Sequence, residues 1–398
     1  MNHSLHSYFP DFRRFASTGE LERSGLYARL RPQLEQVLDR FVAEDFSVDA
    51  HAASDRVRVV AWNIERGIHV DRIVEVLQGH SDMKRSDVLC LTELDYGMAR
   101  SGNRFVAREI AARLGFNYVF APCYLNLEKG SGLESETAGE NRQALHGNAL
   151  LSRYPILQPG LVSLPNGKDK LKGKEKRLGC QKAAIGTIDH PLGRFQAVSV
   201  HLDAHSSQRH RARQMEIILD AIERRDPKLP ALIGGDWNTS TYDSSRAAWA
   251  IVGFFRRTAM GVQHVLTNHY PHPDRWFERH LFGHLERRGY RYRELNEPGV
   301  CTLHYNAADL KTNRNLSDWV PLWCFWFIDR ALRPHGGRCS LKLDWFAGKG
   351  IEPVAARVVG DVPRFEQPLS DHDPILLDFT IEQGSGVRRQ ASGRDRVR

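Results

Sequence analysis

Residues 230–239 read PALIGGDWNT, an apolar run that leads through two glycines to Asp236, Trp237 and Asn238. The run predicts a buried strand, because short apolar runs bounded by turn residues are typical of strands inside a core. A carboxylate and an amide therefore emerge together where this strand ends. Alone the motif is weak, since Asp-x-Asn after a strand also forms turns whose side chains bond their own backbone.

Other segments repeat this arrangement of an apolar run followed by polar side chains. Residues 57–67 (VRVVAWNIERG) end in Asn63 and Glu65, and residues 87–95 (DVLCLTELD) place Glu93 behind another predicted strand. Oxygen ligands at such points suit a hard cation, which would offset the cost of burying an unpaired carboxylate. The remaining strand-end positions are His201 in 195–203, Asp344 in 341–346, and Asp371 with His372 in 369–377.

Each of these residues also has a purely structural interpretation. Asn63 can cap a turn, Glu93 can pair with an arginine between strands, and His201 can be a hydrogen-bonded core histidine. The combination favours one crevice, because ligands of layered α/β sheets bind beyond the carboxyl ends of the strands. We therefore predict a single site assembled from separate segments.

The motifs, in their order along the chain, resemble those of the endonuclease/exonuclease/phosphatase superfamily. This group includes deoxyribonucleases, abasic-site endonucleases, tyrosyl-DNA phosphodiesterases, neutral sphingomyelinases and inositol polyphosphate 5-phosphatases. The resemblance runs from about Arg56 to Ile381, and residues 147–156 (GNALLSRYPI) resemble the strand after the second metal motif. The matching motifs are Trp62-Asn63 with Glu65, Leu91-Thr92-Glu93, Gly235-Asp236-Trp237-Asn238 and Ser370-Asp371-His372.

Two departures narrow the choice within that group. Abasic-site endonucleases usually carry tyrosine where this chain has His201. The 5-phosphatases carry a Trp-Cys-Asp-Arg run near the position of Asp344, where this chain reads LKLDWF. Both subfamilies are therefore disfavoured.

The predicted strands and helices fit helix-covered sheets packed face to face. The expected fold class is α/β, a four-layer sandwich of two packed, mostly antiparallel β-sheets with helices on the outer faces. We predict ten strands, near 57–64, 87–94, 118–124, 147–153, 182–189, 195–202, 230–236, 341–346, 353–360 and 374–380, and helices near 20–44, 103–114 and 207–225.

The resemblance implies hydrolysis of a phosphate ester by direct attack of water on phosphorus, with Mg²⁺ or Mn²⁺ as cofactor. Substrate contact is expected from Asn148, in the segment 147–156, and from Arg177, in a basic loop. The expected metal ligands are Asn63, Glu65, Glu93 and Asp371.

Five further residues are expected to carry out catalysis. Asp236 would orient or deprotonate the attacking water, and Asn238 would hold the phosphate through its amide. His372 and Asp344 would form an imidazole–carboxylate pair, in which the carboxylate fixes the tautomer. His201 would stabilise the transition state or protonate the leaving group. No serine, cysteine or threonine nucleophile is required.

The substrate is less clearly indicated than the chemistry. The net charge is +8: residues 165–182 contribute +5, residues 384–398 contribute +4, and the rest of the chain contributes −1. Such runs form solvated surfaces, but clustered Lys and Arg are also what phosphate-backbone binding requires. We expect a nucleic-acid phosphodiester. The alternatives are a phospholipid or sphingomyelin-type diester, a small-molecule or inositide phosphate, and a catalytically inactive binding protein.

The expected organisation is a helical extension over 1–55, a catalytic domain over 56–382 and a disordered basic tail over 383–398. Residues 254–340 are expected to be an insertion, in which zinc binding by His280 and His284 is disfavoured because no cysteines cluster nearby. Core packing, base stacking and lipid contact are all open for its aromatic residues, Trp319, Trp323, Phe325, Trp326 and Phe327.

The amino-terminal segment and the cysteines indicate the compartment. Residues 1–10 lack a cationic start followed by an apolar block, and no stretch is long enough to span a bilayer. The six cysteines show no Cys-x-x-Cys spacing and are expected to be buried thiols in a reducing compartment. We therefore expect a cytoplasmic protein without a transmembrane segment, with peripheral lipid contact left open. The oligomeric state is not indicated.

Overall fold

Fifteen strands form the centre of the molecule in a computed structural model that describes residues 3–47, 55–239, 243, 245–306, 323–363, 365 and 368–382. In chain order they are β1 (Val42–Glu44), β2 (Val57–Arg66), β3 (Val88–Tyr96), β4 (Asn117–Asn126), β5 (Leu145–Ser152), β6 (Ile156–Ser163), β7 (Arg177–Gly179), β8 (Lys182–His190), β9 (Gly193–Ser199), β10 (Ala231–Asp236), β11 (Leu303–Asn306), β12 (Arg338–Leu341), β13 (Asp344–Lys349), β14 (Ile351–Val358) and β15 (Ile375–Ile381).

The strands form two large sheets and a small ribbon. The first large sheet has the order β1-β4-β5-β3-β2-β15-β14, with β7 added beside β4, and the second has the order β13-β10-β9-β8-β6. Strands β11 and β12 pair as the ribbon. Pairing is parallel between β2 and β3 and between β9 and β10, and antiparallel in the other pairs described.

Helices cover both large sheets on their outer faces. Helices α4 and α5 pack on the first sheet, and α6 and α10 pack on the second. The helices are α1 (Phe9–Arg13), α2 (Thr18–Glu22), α3 (Gly25–Leu38), α4 (Val70–Gly79), α5 (Val106–Leu114), α6 (Gln208–Arg225), α7 (Ala247–Ala259), α8 (Val262–His264), α9 (Pro273–Trp276), α10 (Arg279–Arg287) and α11 (Trp323–Leu332).

The inner faces of the two sheets form one apolar core. Val59 and Ala61 of β2, Leu232 of β10 and Phe346 of β13 lie in it with no exposed surface. Successive side chains of a strand point to opposite faces of the sheet, so the alternate residues of the same strands face outward and form the cores under the helices. The predicted α/β sandwich of two packed, mostly antiparallel sheets is confirmed.

The amino-terminal helices pack against the end of the first sheet. Leu30 and Leu34 of α3 are buried against Leu125 and Leu145 of β4 and β5. Helix α3 ends at Leu38, short of the predicted boundary near 44, because the chain then turns to pair β1 with β4. The assignment of residues 1–55 as an extension stays a prediction.

The stretch 254–340 is only partly separate from the core. Leu281, Phe282 and Leu285 of α10 are buried in the outer layer against α6, so this helix completes the cover of the second sheet. The segment 307–322, with Trp319, and the tail 383–398 lie outside the described residues. In the described part of the chain, no helix has the length and apolar character needed to cross a membrane.

Candidate active site

Two aspartates face each other where β10 ends and β13 begins. Asp236 and Asp344 are paired in the antiparallel register, and both are fully buried. Two carboxylates in a dry environment are costly unless a positive group neutralises them. His372 supplies that group: its Nδ1 lies 2.7 Å from Asp344 Oδ2 and its Nε2 lies 3.7 Å from Asp236 Oδ2.

The two carboxylates determine the charge of His372. Burial by itself lowers the pKa of this imidazole, but Asp344 and Asp236 raise it more, so that the pKa of His372 lies well above its usual value. Burial raises the pKa of Asp236, more than His372 and His201 lower it. At neutral pH the geometry therefore favours an imidazolium beside an aspartate that accepts protons more readily than usual.

Hydrogen bonds from three neighbouring segments fix the position of this pair. The indole Nε1 of Trp62 donates to the carbonyl of His372 at 2.9 Å. The hydroxyl of Ser370 donates to the carbonyl of Asn63 at 2.6 Å and accepts from the amide of His372. The backbone amide of Asp344 donates to Thr302 Oγ1 at 3.2 Å. The sequence assigned no role to Thr302, because its hydroxyl follows no strand that carries a motif.

Asp236 Oδ2 is the centre of the predicted catalytic residues. Asn63 Nδ2 donates to it at 3.1 Å, and His201 Nε2 lies 3.4 Å away. Asn238 follows in the left-handed conformation (φ 48°), with its backbone amide 2.8 Å from Asp236 Oδ1 and its side-chain amide donating to Leu202 O at 3.0 Å. That amide nitrogen has a second hydrogen with which it can hold a phosphate.

A second carboxylate lies on the other side of Asn63. The Asn63 amide nitrogen donates to Glu93 Oε1 at 3.2 Å as well as to Asp236, so it connects the two acidic groups. Burial would raise the pKa of Glu93, but Arg66 and the nearby histidines hold it well below its usual range. Arg66 Nη1 lies 3.5 Å from Glu93 Oε2. Glu93 is therefore ionised and ready to accept a cation.

The residues present fit a divalent cation. Asp236, Asp344 and His372 have side-chain atoms that all lie within 4.8 Å of one another, and the carboxylate oxygens are the metal ligands among them, because an imidazolium has no lone pair for a cation. Among the described residues, the buried Oδ1 of Asp344 has no hydrogen-bond partner, as expected of an oxygen placed to face a cation. Glu93 is a second oxygen donor, joined to this group through Asn63.

The other predicted metal ligands contribute less directly in this geometry. Asn63 Oδ1 accepts from the backbone amide of Glu65 at 3.1 Å, so its oxygen faces away from Glu93. The Glu65 carboxylate lies 3.9 Å from Arg66. Asp371 is exposed beside Ser370. Ligation by Asn63 oxygen would require rotation of its amide, and all three assignments stay predictions.

Arg66 belongs to a buried ion network that the sequence did not reveal. Its Nε lies 3.0 Å from Glu134, which also pairs with Arg100. Arg100 in turn binds Asp95, whose carboxylate meets His146 at 2.9 Å. The network holds Arg66 in place beside the Glu93 carboxylate. The sequence gives little indication of this network, since Arg66 is only the residue after Glu65 in the segment 57–67.

The two predicted substrate contacts occupy different surroundings. Asn148 is buried and uses both ends of its amide within the protein: its oxygen accepts from the amide of Glu93 at 3.4 Å, and its nitrogen donates to Lys182 O at 2.8 Å. This geometry makes it a support for Glu93. Arg177 pairs with Glu175, and its guanidinium lies over the ring of Tyr124. Substrate contact by either residue stays a prediction.

Replacing Asn148 with alanine tests these two roles against each other. If Asn148 orients Glu93, we expect Mg²⁺ or Mn²⁺ to bind about 10–100-fold more weakly, because the loss of a group that orients a metal ligand has effects of this size. Isothermal titration with the metal in the absence of substrate measures this directly. Unchanged metal affinity together with a raised KM would instead assign Asn148 to substrate.

This geometry agrees with a comparison of the sequence with known families. The family described as the Endonuclease/Exonuclease/phosphatase family matches residues 60–372, which include every part of the site described above. The chain belongs to this family. Its members are hydrolases that act on phosphoester bonds and are generally dependent on a divalent metal. No curated protein sequence matches the chain.

Solved structures with the same fold are distant in sequence. An endonuclease/exonuclease/phosphatase from Beutenbergia cavernae is 18% identical in sequence and has a TM-score of 0.51. The aligned region covers 82% of this chain and 72% of that protein's chain. The human Nocturnin catalytic domain with bound sulfate is 16% identical, with 86% and 97% covered and a TM-score of 0.46. The 3'-5' exonuclease NExo of Neisseria meningitidis is 15% identical, with 81% and 100% covered and a TM-score of 0.46.

Proposed function

We propose that this protein is a divalent-metal-dependent phosphodiester hydrolase in which water attacks phosphorus directly. One observation carries the proposal: a single oxygen, Asp236 Oδ2, lies 3.1 Å from Asn63 Nδ2, 3.4 Å from His201 Nε2 and 3.7 Å from His372 Nε2. A carboxylate surrounded by hydrogen-bond donors, in a buried crevice, suits the binding and deprotonation of a water molecule.

Asp236 and the residues around it have separate roles in the reaction. Asp236 accepts a proton from the water, favoured by a pKa that burial has raised. His372, kept as imidazolium by Asp344 and Asp236, lies where it can stabilise negative charge on the phosphoryl oxygens, and His201 can donate a proton to the leaving oxygen. A cation bound by Glu93 and the Asp236 group would add further neutralisation of the phosphoryl charge.

A cluster of cations near Asp203, formed by Lys168, Lys170 and Arg177, supports a polyanionic diester such as nucleic acid. Lys170 Nζ lies 3.2 Å from Asp203, two residues after His201, and it lies over the ring of Tyr124 on which Arg177 also lies. Burial lowers the pKa of Lys168, and the neighbouring Lys170 adds to this effect. Lys170 and Arg177 are paired with Asp203 and Glu175, so Lys168 is the cation whose charge a bound phosphate would stabilise most.

The first test compares a diester with a monoester. We expect bis-p-nitrophenyl phosphate to be hydrolysed in the presence of Mg²⁺ or Mn²⁺, with loss of the activity in EDTA and recovery when metal is restored. p-Nitrophenyl phosphate should react more slowly. A preference for the monoester would replace the proposal with a phosphatase, and activity that persists in EDTA would contradict the role of the metal.

Replacing Lys168 with serine tests the choice of nucleic acid. If this ammonium contacts a phosphate, KM for a single-stranded oligonucleotide should rise and the slope of log affinity against log salt should fall by about 0.7. Lys172→Ser, an exposed lysine of the same loop, is the matched control. Hydrolysis of bis-p-nitrophenyl phosphate should not change in either variant. Equal effects of the two substitutions would contradict a specific contact by Lys168.

A further inference from the structure

Helices α7 and α11 carry a surface that is unusually apolar for an exposed position. Trp326 is 61% exposed, Phe255 is 53% exposed and Val252 is 50% exposed. The rings of Phe255 and Phe327 meet at 6.4 Å, so the two helices present one continuous patch. We call this the aromatic patch; it consists of Trp249, Val252, Phe255, Met260, Trp326 and Phe327.

Exposing large apolar side chains to water is unfavourable in free energy. Contiguous apolar surface on a folded protein marks a binding site for a protein, a ligand or a membrane. Trp249, Val252 and Phe255 follow one another at intervals of three along α7, so they face the same side of that helix. The patch therefore has the form of an amphipathic helix face that lacks a cover among the described residues.

The charges around the patch select an anionic partner. Residues 243–260 and 323–341 contain six arginines, Arg246, Arg256, Arg257, Arg330, Arg333 and Arg338, and only two aspartates, Asp243 and Asp329. Arg246, Arg256 and Arg330 are exposed. Tryptophan and phenylalanine beside arginine are the composition of helices that lie in the headgroup region of an anionic bilayer.

A cavity between the same helices favours lipid over a protein partner. It has a volume of about 210 Å³ and lies between α7 and α11, with a lining that is mostly apolar. Phe254, Val265 and Leu266 form part of the wall, together with Ile328 and Leu332. Arg257, also in the lining, donates to the hydroxyl of Tyr270 at 3.1 Å. An apolar space with one cation in its wall suits an acyl chain with a phosphate above it.

The patch is connected to the catalytic edge by short segments of chain. Helix α7 begins nine residues after Asn238, and α11 leads through β12 to Asp344. The ribbon that contains β12 is bonded to the catalytic segment, because the amide of His304 in β11 donates to Asp371 O and the amide of Asp373 donates to Thr302 O. The ribbon therefore joins the segment that follows α11 to the segment that carries His372.

We propose that the aromatic patch docks the protein on an anionic phospholipid surface, with Trp249, Phe255 and Trp326 inserted among the headgroups and the arginines on the lipid phosphates. The inference goes beyond the proposed hydrolysis and holds for any phosphodiester substrate. A membrane-associated enzyme of this kind would meet its substrate at, or in, the bilayer surface.

Vesicle binding by the full chain tests the proposal. We expect the protein to sediment with vesicles of phosphatidylcholine and phosphatidylglycerol, less with phosphatidylcholine alone, and less at high salt. The triple variant Trp249→Ala, Phe255→Ala, Trp326→Ala should bind these vesicles at least about tenfold more weakly. The matched control is Phe41→Ala, Leu192→Ala, Val354→Ala, which removes apolar residues of similar exposure elsewhere.

Two further measurements separate the possible occupants of the patch. Brominated lipid should quench tryptophan fluorescence of the parent protein, and much less that of the triple variant. Hydrolysis of bis-p-nitrophenyl phosphate should be equal in all three proteins, so that failure to dock is distinguishable from failure of catalysis. The proposal is overturned if neither vesicle binds the parent protein, if the triple variant binds equally well, or if the patch proves to join two copies of the chain in sedimentation velocity.

Discussion

Replacing Asp236 with asparagine should lower kcat for diester hydrolysis by about 10²–10⁴, the range expected when a positioned general base is lost. The substitution preserves the shape of the side chain but removes the proton acceptor at the centre of Asn63, His201 and His372. KM should change little, because the phosphate is held by other groups. Steady-state kinetics at a fixed metal concentration measures both constants.

The same substitution should not destabilise the protein. Burial raises the pKa of Asp236, which means that its ionised form is disfavoured by the fold, so removing the charge should leave Tm unchanged or raise it. Asp87→Asn is the matched control, because Asp87 is a second buried carboxylate, with a pKa raised to about 6, outside the site. Retention of full activity in Asp236→Asn, or an equal loss in Asp87→Asn, would refute the assigned role.

Replacing His372 with alanine should lower both activity and stability. The change leaves Asp236 and Asp344 buried together without the imidazolium between them, and loss of one partner of a buried ion pair costs about 3–5 kcal/mol. Because the pKa of His372 is raised in the folded state, its charge stabilises the fold fully below about pH 6.5, the ordinary value, and this contribution is lost as pH rises through the raised pKa. Urea unfolding of both proteins between acidic and alkaline pH measures the difference.

A double variant distinguishes lost stability from lost chemistry. Adding Asp344→Asn to His372→Ala removes one of the two uncompensated carboxylates, so part of the free energy of unfolding should return. Activity should not return, since neither substitution restores the imidazolium. If the double variant is no more stable than His372→Ala, the unpaired carboxylate of Asp344 is not what destabilises that variant.

The sequence predicted the fold well because most strands have strong local signals. All ten predicted strands are present, and α5 and α6 lie within one to three residues of the predicted bounds. Strand β6 was missed because residues 156–163 include Gln158, Pro159 and Gly160 and are only partly buried, so they lack the pattern of a core strand. The short strands β1, β7, β11 and β12 depend on long-range pairing that no local pattern encodes.

The site was predictable in its parts but not in its connections. Asp236 ends β10 and His201 follows β9 by two residues, and hydrophobic periodicity locates such strand ends. Glu93 instead lies within β3, and His372 lies three residues before β15. The contacts of Asn63 with both Glu93 and Asp236 depend on how two sheets face each other, which the sequence does not state. Arg66 and Thr302 were missed for the same reason, because their roles exist only after distant segments have met.

Three residues of the site, Glu65, Glu93 and Asn238, have positive φ angles of 43°, 57° and 48°. Glycine adopts this conformation without the steric penalty of about 1–2 kcal/mol that other residues meet. Selection of this protein for heat resistance alone should therefore enrich Asn238→Gly, which relieves the strain but removes the amide that holds phosphate. It should retain Glu93, because the contacts of its carboxylate with Arg66 and Asn63 stabilise the fold. Thermostability screens of this chain need an activity filter at every round, and a natural descendant with glycine at position 238 would have been released from selection for hydrolysis.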